Sequence, residues 1–501
     1  MSTLATLLRT ITGLGAGVPA RPAHALMRAP VLQGFMLRGA LVAGTVPENP
    51  ENVVPEKIVP KNAVAEAAES APQSDPQQST SAARRAAATP PMRRSAAAPA
   101  SGTPTPGSCT SKAPGMADLT KVSIPCPDPT LEDRTRDAHQ NRALQMARQE
   151  DWTALSAMIA QADRSRATTP GGMSVAELMA FGARADVVLA VEHALIDRTP
   201  ERDAPLLRGI EALEFVLAEH PGDPVIGCIV AQAHMDMAWA WRGIGWDVDM
   251  APRNREAFDA HFARAHDIVG AFRGLRGSST LLSATSCALL RGNTGTAHAV
   301  ADRYAALIDL NPATPSPLRA LGTHMLPRWY GSYAGLELEA RRTAARTEDL
   351  WGAGGYTWVM FDAVSVDDVA CAHLDLDFFI EGLHDIAARR PEPHTINLLA
   401  AYCASTMGQT RSGTAAADKN RARIAACADW LVRDHLTELH PMVWAHAAQG
   451  FVNNLRVSSP SRFAASGKQT ALQLLTEIFR AEIDDGQKIT FTRSGATAGP
   501  L

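Results

Sequence analysis

The sequence predicts an all-α protein: an irregular right-handed solenoid of helical hairpins, preceded by a disordered arm. Three observations predict it. From about Pro129 onward, apolar residues recur at i, i+3, i+4 and i+7 between short breaks of Pro, Gly, Asp and Asn. No convincing strand interrupts them, and the one β-like run is Lys488-Ile489-Thr490-Phe491-Thr492. A turn signature also recurs, in which a helix ends, a proline follows and a second helix starts. It reads Glu219-His220-Pro221-Gly222-Asp223-Pro224, then Asp309-Leu310-Asn311-Pro312-Ala313-Thr314-Pro315. It returns more loosely at Pro391-Glu392-Pro393-His394 and Glu438-Leu439-His440-Pro441. Proline suits such turns because it cannot continue a helix yet starts one well.

Four segments follow. Residues 1–43 are basic and apolar, with Arg9, Arg21, Arg28 and Arg38 and no acid before Glu48. Ala23-His24-Ala25 fits an export cleavage site, but the apolar run before it is Gly-rich and contains Pro19. The segment equally fits weak contact with a membrane surface. Met116 stands where globular composition begins, so a later translation start is a further reading. Residues 44–124 form an Ala/Pro/Ser-rich linker. From Glu66 to Gly115 it has no Leu, Ile, Val, Phe, Trp or Tyr, so it has nothing to bury against the entropy of ordering. Residues 125–485 are the helical repeat body, and 486–501 a flexible tail.

Within the body the periodicity predicts helices at 130–149, 151–166, 174–197, 203–219, 223–242, 254–273, 279–291 and 296–309. It continues at 315–326, 333–350, 356–372, 376–389, 393–408, 415–436, 440–455 and 464–483. Asp151, Ser174, Asn254, Ser279 and Thr296 sit where an N-cap belongs, and Glu177 three residues after Ser174 suggests a capping box. The proline turns are not spaced at a clean 34 residues. They suit hairpins of roughly 40–47 residues, as in helical solenoids.

The loop Asp309-Leu310-Asn311-Pro312-Ala313-Thr314-Pro315 and the short paired helices resemble degenerate tetratricopeptide-type repeats. Ala238-Trp239-Ala240-Trp241-Arg242-Gly243 and Leu326-Pro327-Arg328-Trp329-Tyr330-Gly331-Ser332 are similar to segments of an uncharacterised bacterial family of helical-repeat proteins. The resemblance spans roughly residues 200–365 and implies a fold but no activity. The regular consensus of Trp, Gly, Tyr and Pro in each unit is not met, so no peptide-binding residue carries over.

Composition excludes several classes. No apolar run approaches a spanning helix, so no transmembrane span is expected. The net charge of −4 gives no nucleic-acid signature. It is unevenly divided: residues 1–117 carry eleven Lys and Arg against six Asp and Glu, the remainder 37 against 46. Seven scattered cysteines without a CxxC pair exclude a disulfide scaffold and zinc ribbons. Cys228, Cys287, Cys371, Cys403 and Cys427 lie in apolar helical contexts and read as small buried hydrophobes. The expected compartment is a bacterial cytoplasm.

The candidate binding site is aromatic. Trp241, Arg242, Arg328, Trp329 and Tyr330 lie in a region rich in Trp and Tyr. An Arg beside an indole can stack on it and clamp a carboxylate. Facing one groove, these residues would bind a protein or peptide; the plainer reading is that the Trp side chains fill helix–helix contacts. Gly352-Ala353-Gly354-Gly355 has no preceding strand and no GKS/T, and reads as an inter-helix turn. The histidines fall in sets: His373 with His384 and His394, then His435, His440 and His446, with His261 and His266 five apart. None has metal spacing, and His234 and Asp236 point in different directions on one helix. Paired acids such as Glu337 and Glu339 diverge likewise. The expectation is a non-enzymatic binding scaffold without cofactor, metal or catalytic residues. The alternative is a small-molecule sensor or enzyme with a pocket near Trp351–Trp358.

Overall fold

A computed structural model of the chain describes residues 119–195, 206–243, 250–292, 297–409, 414–451, 457 and 459–500. The readings of the arm through 118 and of the Thr296 cap lie outside the described residues. The class is all-α, with one small sheet. The helices in chain order are α1 (Leu131–Arg148), α2 (Trp152–Arg164), α3 (Val175–Ala194), α4 (Arg208–Glu219), α5 (Pro224–Arg242), α6 (Pro252–Ala271), α7 (Thr280–Ala288) and α8 (Ala297–Leu310). There follow α9 (Pro315–His324), α10 (Tyr333–Arg346), α11 (Gly354–Val366), α12 (Leu376–Arg389), α13 (Pro393–Ala401), α14 (Ala415–Ala426), α15 (Pro441–Ala448) and α16 (Pro460–Ile478).

The starts follow helix-cap chemistry. Asp151, Ser174 and Ser279 cap α2, α3 and α7 through their side chains. The complete capping box stands two helices earlier than expected, at α1 rather than α3. Thr130 Oγ1 accepts the backbone N–H of Asp133, and Asp133 Oδ2 accepts the N–H and hydroxyl of Thr130. Asn254 is not a cap: α6 starts on Pro252, and the Asn254 amide donates to the carbonyl of Trp241. Proline occupies the first turn of α5, α6, α9, α13, α15 and α16. The stretch 356–372 is not one helix. Asp367 accepts the N–H of Ala370 and starts a separate turn, Asp368–Ala372.

Two apolar cores result. One is built by α1 through α7 and holds Ile226, Met237, Trp241 and Phe262. The other runs from α7 to the C-terminus and holds Tyr304, Trp358, Phe361, Tyr402 and Trp444. Helix α7 serves both, with Leu281 and Leu282 in the first and Ala284 and Cys287 in the second. Each core encloses a buried ion pair, Arg184 with Asp236 and Arg319 with Asp362, both at 2.8 Å.

Two segment boundaries are corrected. The expected flexible tail is a hairpin of β2 (Gln487–Thr492) and β3 (Gly495–Pro500), closed where Gly495 takes φ +99°. Ile489 and Phe491 alternate into the core with period two, which gives the hairpin a reason to order. The linker expected to reach 124 is already structured before that. β1 (Val122–Ser123) pairs in parallel with Ile489 and Thr490, and Val122 is buried. Among the described residues no helix is long and apolar enough to cross a membrane.

Candidate functional site

The residues expected to form an aromatic groove are divided between the two cores. Trp241 is 2% exposed and belongs to the first core, while Trp329 and Tyr330 are half-buried against the second. The Arg242 guanidinium lies over Trp239, 5.5 Å from the ring centre. Arg253, not Arg242, lies over Trp241. Trp329, Tyr330 and His324 do form one ring cluster, and the Tyr330 hydroxyl donates to the carbonyl of Leu290. Arg328 is half-buried beside Asp367 and Tyr333, and burial lowers its pKa. Trp351 and Trp358 meet edge to face at 5.9 Å inside the core. Both indoles are almost fully buried. Gly354 and Gly355 begin α11.

A different site emerges from the proline turns. A cleft of about 730 Å³, solvent at its mouth included, opens where the starts of α1, α13 and α15 meet. Its polar wall holds Asp128, Thr130, Asp133, Arg136, His394, His440 and His446, and its apolar wall includes Leu398, Val443 and Phe451. The Thr130–Asp133 capping box fixes the α1 edge, and Asp133 Oδ1 also takes Arg136 Nη2 at 3.0 Å. Pro393 opens α13 and places His394 in its first turn, while Pro441 opens α15 and leaves His440 as its cap. Two of the four recurring turns therefore each bring a histidine to one place.

Asn397 holds these turns together. It is fully buried, and its Nδ2 donates to the carbonyls of Pro393 and Glu438, both at 2.8 Å. Its Oδ1 accepts the backbone N–H of His440 and the indole N–H of Trp444, both at 2.9 Å. All four hydrogen-bonding positions of the amide are filled. The Leu439 N–H donates to the carbonyl of Pro125 and ties the chain entering the cleft to the same loop.

The result is an oriented histidine. His440 is 3% exposed, and its Nε2 lies 3.0 Å from Glu438 Oε1. A carboxylate only accepts, so Nε2 carries the proton and donates. Nδ1, buried and without a hydrogen-bond partner, is then a bare lone pair in the neutral ring. Burial pushes His394 down to about 3, helped by His440 and Arg136, and pushes His446 down to about 4, helped by Arg136. Both are neutral imidazoles at pH 7. His394 packs against the loop that Glu132 anchors by accepting from Thr169 Oγ1 and the Gly171 N–H, each at 2.7 Å.

Sequence reasoning placed His394 and His440 in separate sets and gave neither a role. The signal that joins them is a histidine next to the helix-starting proline in two copies of the same turn. No three or more His, Cys, Asp or Glu among the described residues are disposed to hold a metal ion. The second histidine cluster is closed. Arg264 clamps Glu214 through two hydrogen bonds of 2.7 Å, Glu214 Oε1 faces His234 Nε2 at 2.8 Å, and His234 Nδ1 faces His261 Nδ1 at 2.8 Å. The two rings are buried at the first core, Glu214 and Arg264 reach the surface, and His261 Nε2, fully buried, has no hydrogen-bond partner. His234 and Asp236 do diverge, Asp236 turning to Arg184. Comparison with models of known protein families, with curated proteins and with solved structures gives no match to this chain.

Proposed function

We propose that the chain is a non-enzymatic binding protein that takes a side chain of a peptide, or a small molecule, into the cleft between α1, α13 and α15. The observation that carries this reading is His440: a nearly buried ring, held by Glu438 and by the turn Asn397 organises, with one nitrogen unpartnered at a partly apolar cleft. A buried polar atom without a partner is costly unless a ligand or solvent supplies one. Binding sites typically combine apolar walls with a few convergent polar groups. Helical hairpins of the tetratricopeptide type are a frame for such contact surfaces.

Covalent catalysis has less support. Thr130 Oγ1 is engaged in its capping box. Cys126, half-buried near Asp128 and Glu438, has its pKa raised by burial, the opposite of an activated thiol. The oriented base alone favours a second reading, in which His440 activates water. A thermal-shift screen of blocked peptides and metabolites on the full chain tests the binding reading. Ligands that stabilise the wild type should lose their effect on His440→Leu and on Val443→Trp, which fills the cleft. Stabilisation that survives both substitutions places the site elsewhere.

A further inference from the structure

We propose a second binding site that does not rest on the cleft: Arg273, Arg276 and Arg303 bind a phosphate group of a soluble ligand. Arg273 and Arg276 stand on the loop Arg273-Gly274-Leu275-Arg276-Gly277-Ser278 between α6 and α7. Arg273–Leu275 make one 3-10 turn, and Arg276 follows it in helical backbone. Residues three apart on such a turn eclipse, so both arginines project on one side. Arg303 joins them from α8. Its backbone carbonyl accepts the Cys287 thiol at 3.7 Å, and the charges of Arg276 and Arg303 both act on that thiol. A Cβ at Gly274 or Gly277 would meet nothing within 4 Å, so the loop lies open.

What marks the cluster is a missing counter-charge. Among the described residues none of the three guanidinium groups makes a hydrogen bond or an ion pair. Acids are not scarce, since the residues after 117 carry 46 against 37 basic residues. Arg276 is half-buried. Its Nε is buried without a partner, while Nη1 and Nη2 reach solvent with none. Burial, then the charges of Arg303 and Arg273, lower its pKa, and no carboxylate offsets them. Cys287 stays neutral, because burial pushes its thiol up to about 12. Asp302, beside Arg303 in sequence, faces His298 at 3.4 Å. Arg166, bonded to the Ser278 carbonyl, is answered by Asp163 at 3.6 Å. The C-terminal dipole of α6 accounts for Arg273, which lies by Gly270, but not for the other two. Three guanidinium groups overmatch one carboxylate. A phosphate carries more charge and accepts the paired N–H groups of arginine bidentately. Leu275 is exposed on this loop, but one apolar side chain is too little to seat it in a lipid surface, so the ligand is soluble.

Titration calorimetry of the full chain at pH 7.5 and low salt tests it, with pyrophosphate and acetate as probes. Pyrophosphate should bind and acetate should not. Arg276→Met, Arg273→Gln and Arg303→Gln should each weaken pyrophosphate roughly tenfold, the scale of one charge-assisted contact. Arg148→Gln, at an exposed arginine already paired with Asp186, should leave it unchanged. Arg276→Met also separates a site from a structural role: its melting temperature should hold or rise while pyrophosphate affinity falls. If that variant unfolds, Arg303→Gln, at an exposed position, decides the matter. No pyrophosphate binding overturns the proposal, as does binding that the three substitutions leave intact. An equal loss in Arg148→Gln overturns it by showing unspecific attraction, and acetate binding as tight as pyrophosphate overturns the phosphate assignment. Capture by phosphatidic acid vesicles without pyrophosphate binding overturns the soluble ligand in favour of a lipid headgroup.

Discussion

Asn397 Oδ1 accepts the backbone N–H of His440 at 2.9 Å while its Nδ2 donates to the carbonyl of Glu438 at 2.8 Å, so one buried side chain grips both ends of the turn that presents the His440 ring. Asn397→Ala removes four hydrogen bonds and takes the partner from the His440 N–H, the Trp444 indole and the Glu438 carbonyl in the interior. Each such buried group costs about 1–3 kcal/mol, so a loss of roughly 3–5 kcal/mol is expected after local relaxation. Urea denaturation measures it. A loss under about 1 kcal/mol would mean that water replaces the amide.

The second core contains a charge pair whose removal should depend on how it is removed. Arg319 donates through Nε and Nη2 to the two oxygens of Asp362, both at 2.8 Å, and its guanidinium lies over Phe361 and Phe451. Phe451 also lines the cleft. Asp362→Ala strands a buried cation and should cost about 3–5 kcal/mol. Arg319→Met combined with Asp362→Leu should cost far less, because no charge is left unpaired. If the double variant is as unstable as the single one, the pair is stabilising in its own right.

Stability should fall with acid in two stages. His394, at about 3, and His446, at about 4, are held below the ordinary imidazole value by burial, and His234 and His261 are lowered for the same reason. The unfolded chain therefore binds protons that the folded chain refuses. Stability from this source is full above about pH 6.5 and is lost as pH falls toward the folded values, by about 1.4 kcal/mol per unit for each proton. Glu214 adds the second stage. Burial alone would raise it, but the hydrogen bonds from Arg264 and His234 outweigh burial and hold it at about 2. Its contribution is present above about pH 4.5 and lost as pH falls toward 2. Urea midpoints at pH 7.5, 5.5, 4.5 and 3 check both stages, and His394→Asn should flatten the upper one.

The α15 wall depends on a close helix crossing. A Cβ at Gly467 of α16 would collide with the carbonyl oxygen of Pro441 and crowd the backbone of Ala445. Backbone cannot yield as a side-chain tip can. Gly467→Ala should push α15 away, lower stability despite alanine's better helix propensity, and weaken any ligand that depends on His440. A gain in melting temperature with intact binding would show that the crossing has slack.

The fold was legible because the helices announce themselves locally. Six helices start on proline, and three of the five proposed caps act as caps. Asn254 was misread because α6 starts earlier, at Pro252. The hairpin of β2 and β3 was half legible: Ile489 and Phe491 show the period of a strand, while Gly495 to Pro500 has no large side chain to mark one. The cleft was not legible. His394 and His440 meet through Asn397, three of whose four partners lie more than 40 residues away, and no local spacing encodes that. The Trp residues misled in the other direction, since the same indole suits a groove and a core.

Trp241 and Arg328, both candidates for the groove, should respond in opposite ways. Trp241 is packed in the first core, so Trp241→Ala should cost about 3–5 kcal/mol. Its indole nitrogen has no hydrogen-bond partner, so Trp241→Phe loses volume but strands nothing and should cost much less. Arg328 is a half-buried cation whose Nε and Nη2 are unpartnered. Arg328→Met keeps the packing of the stem and removes the desolvated charge, so stability should stay the same or rise. Thermal denaturation of the three variants checks the ordering. A folded Arg328→Ala/Trp329→Ala double variant that loses a bound partner would return the binding surface to the aromatic loop, because nothing in the packing around Arg328 requires its charge.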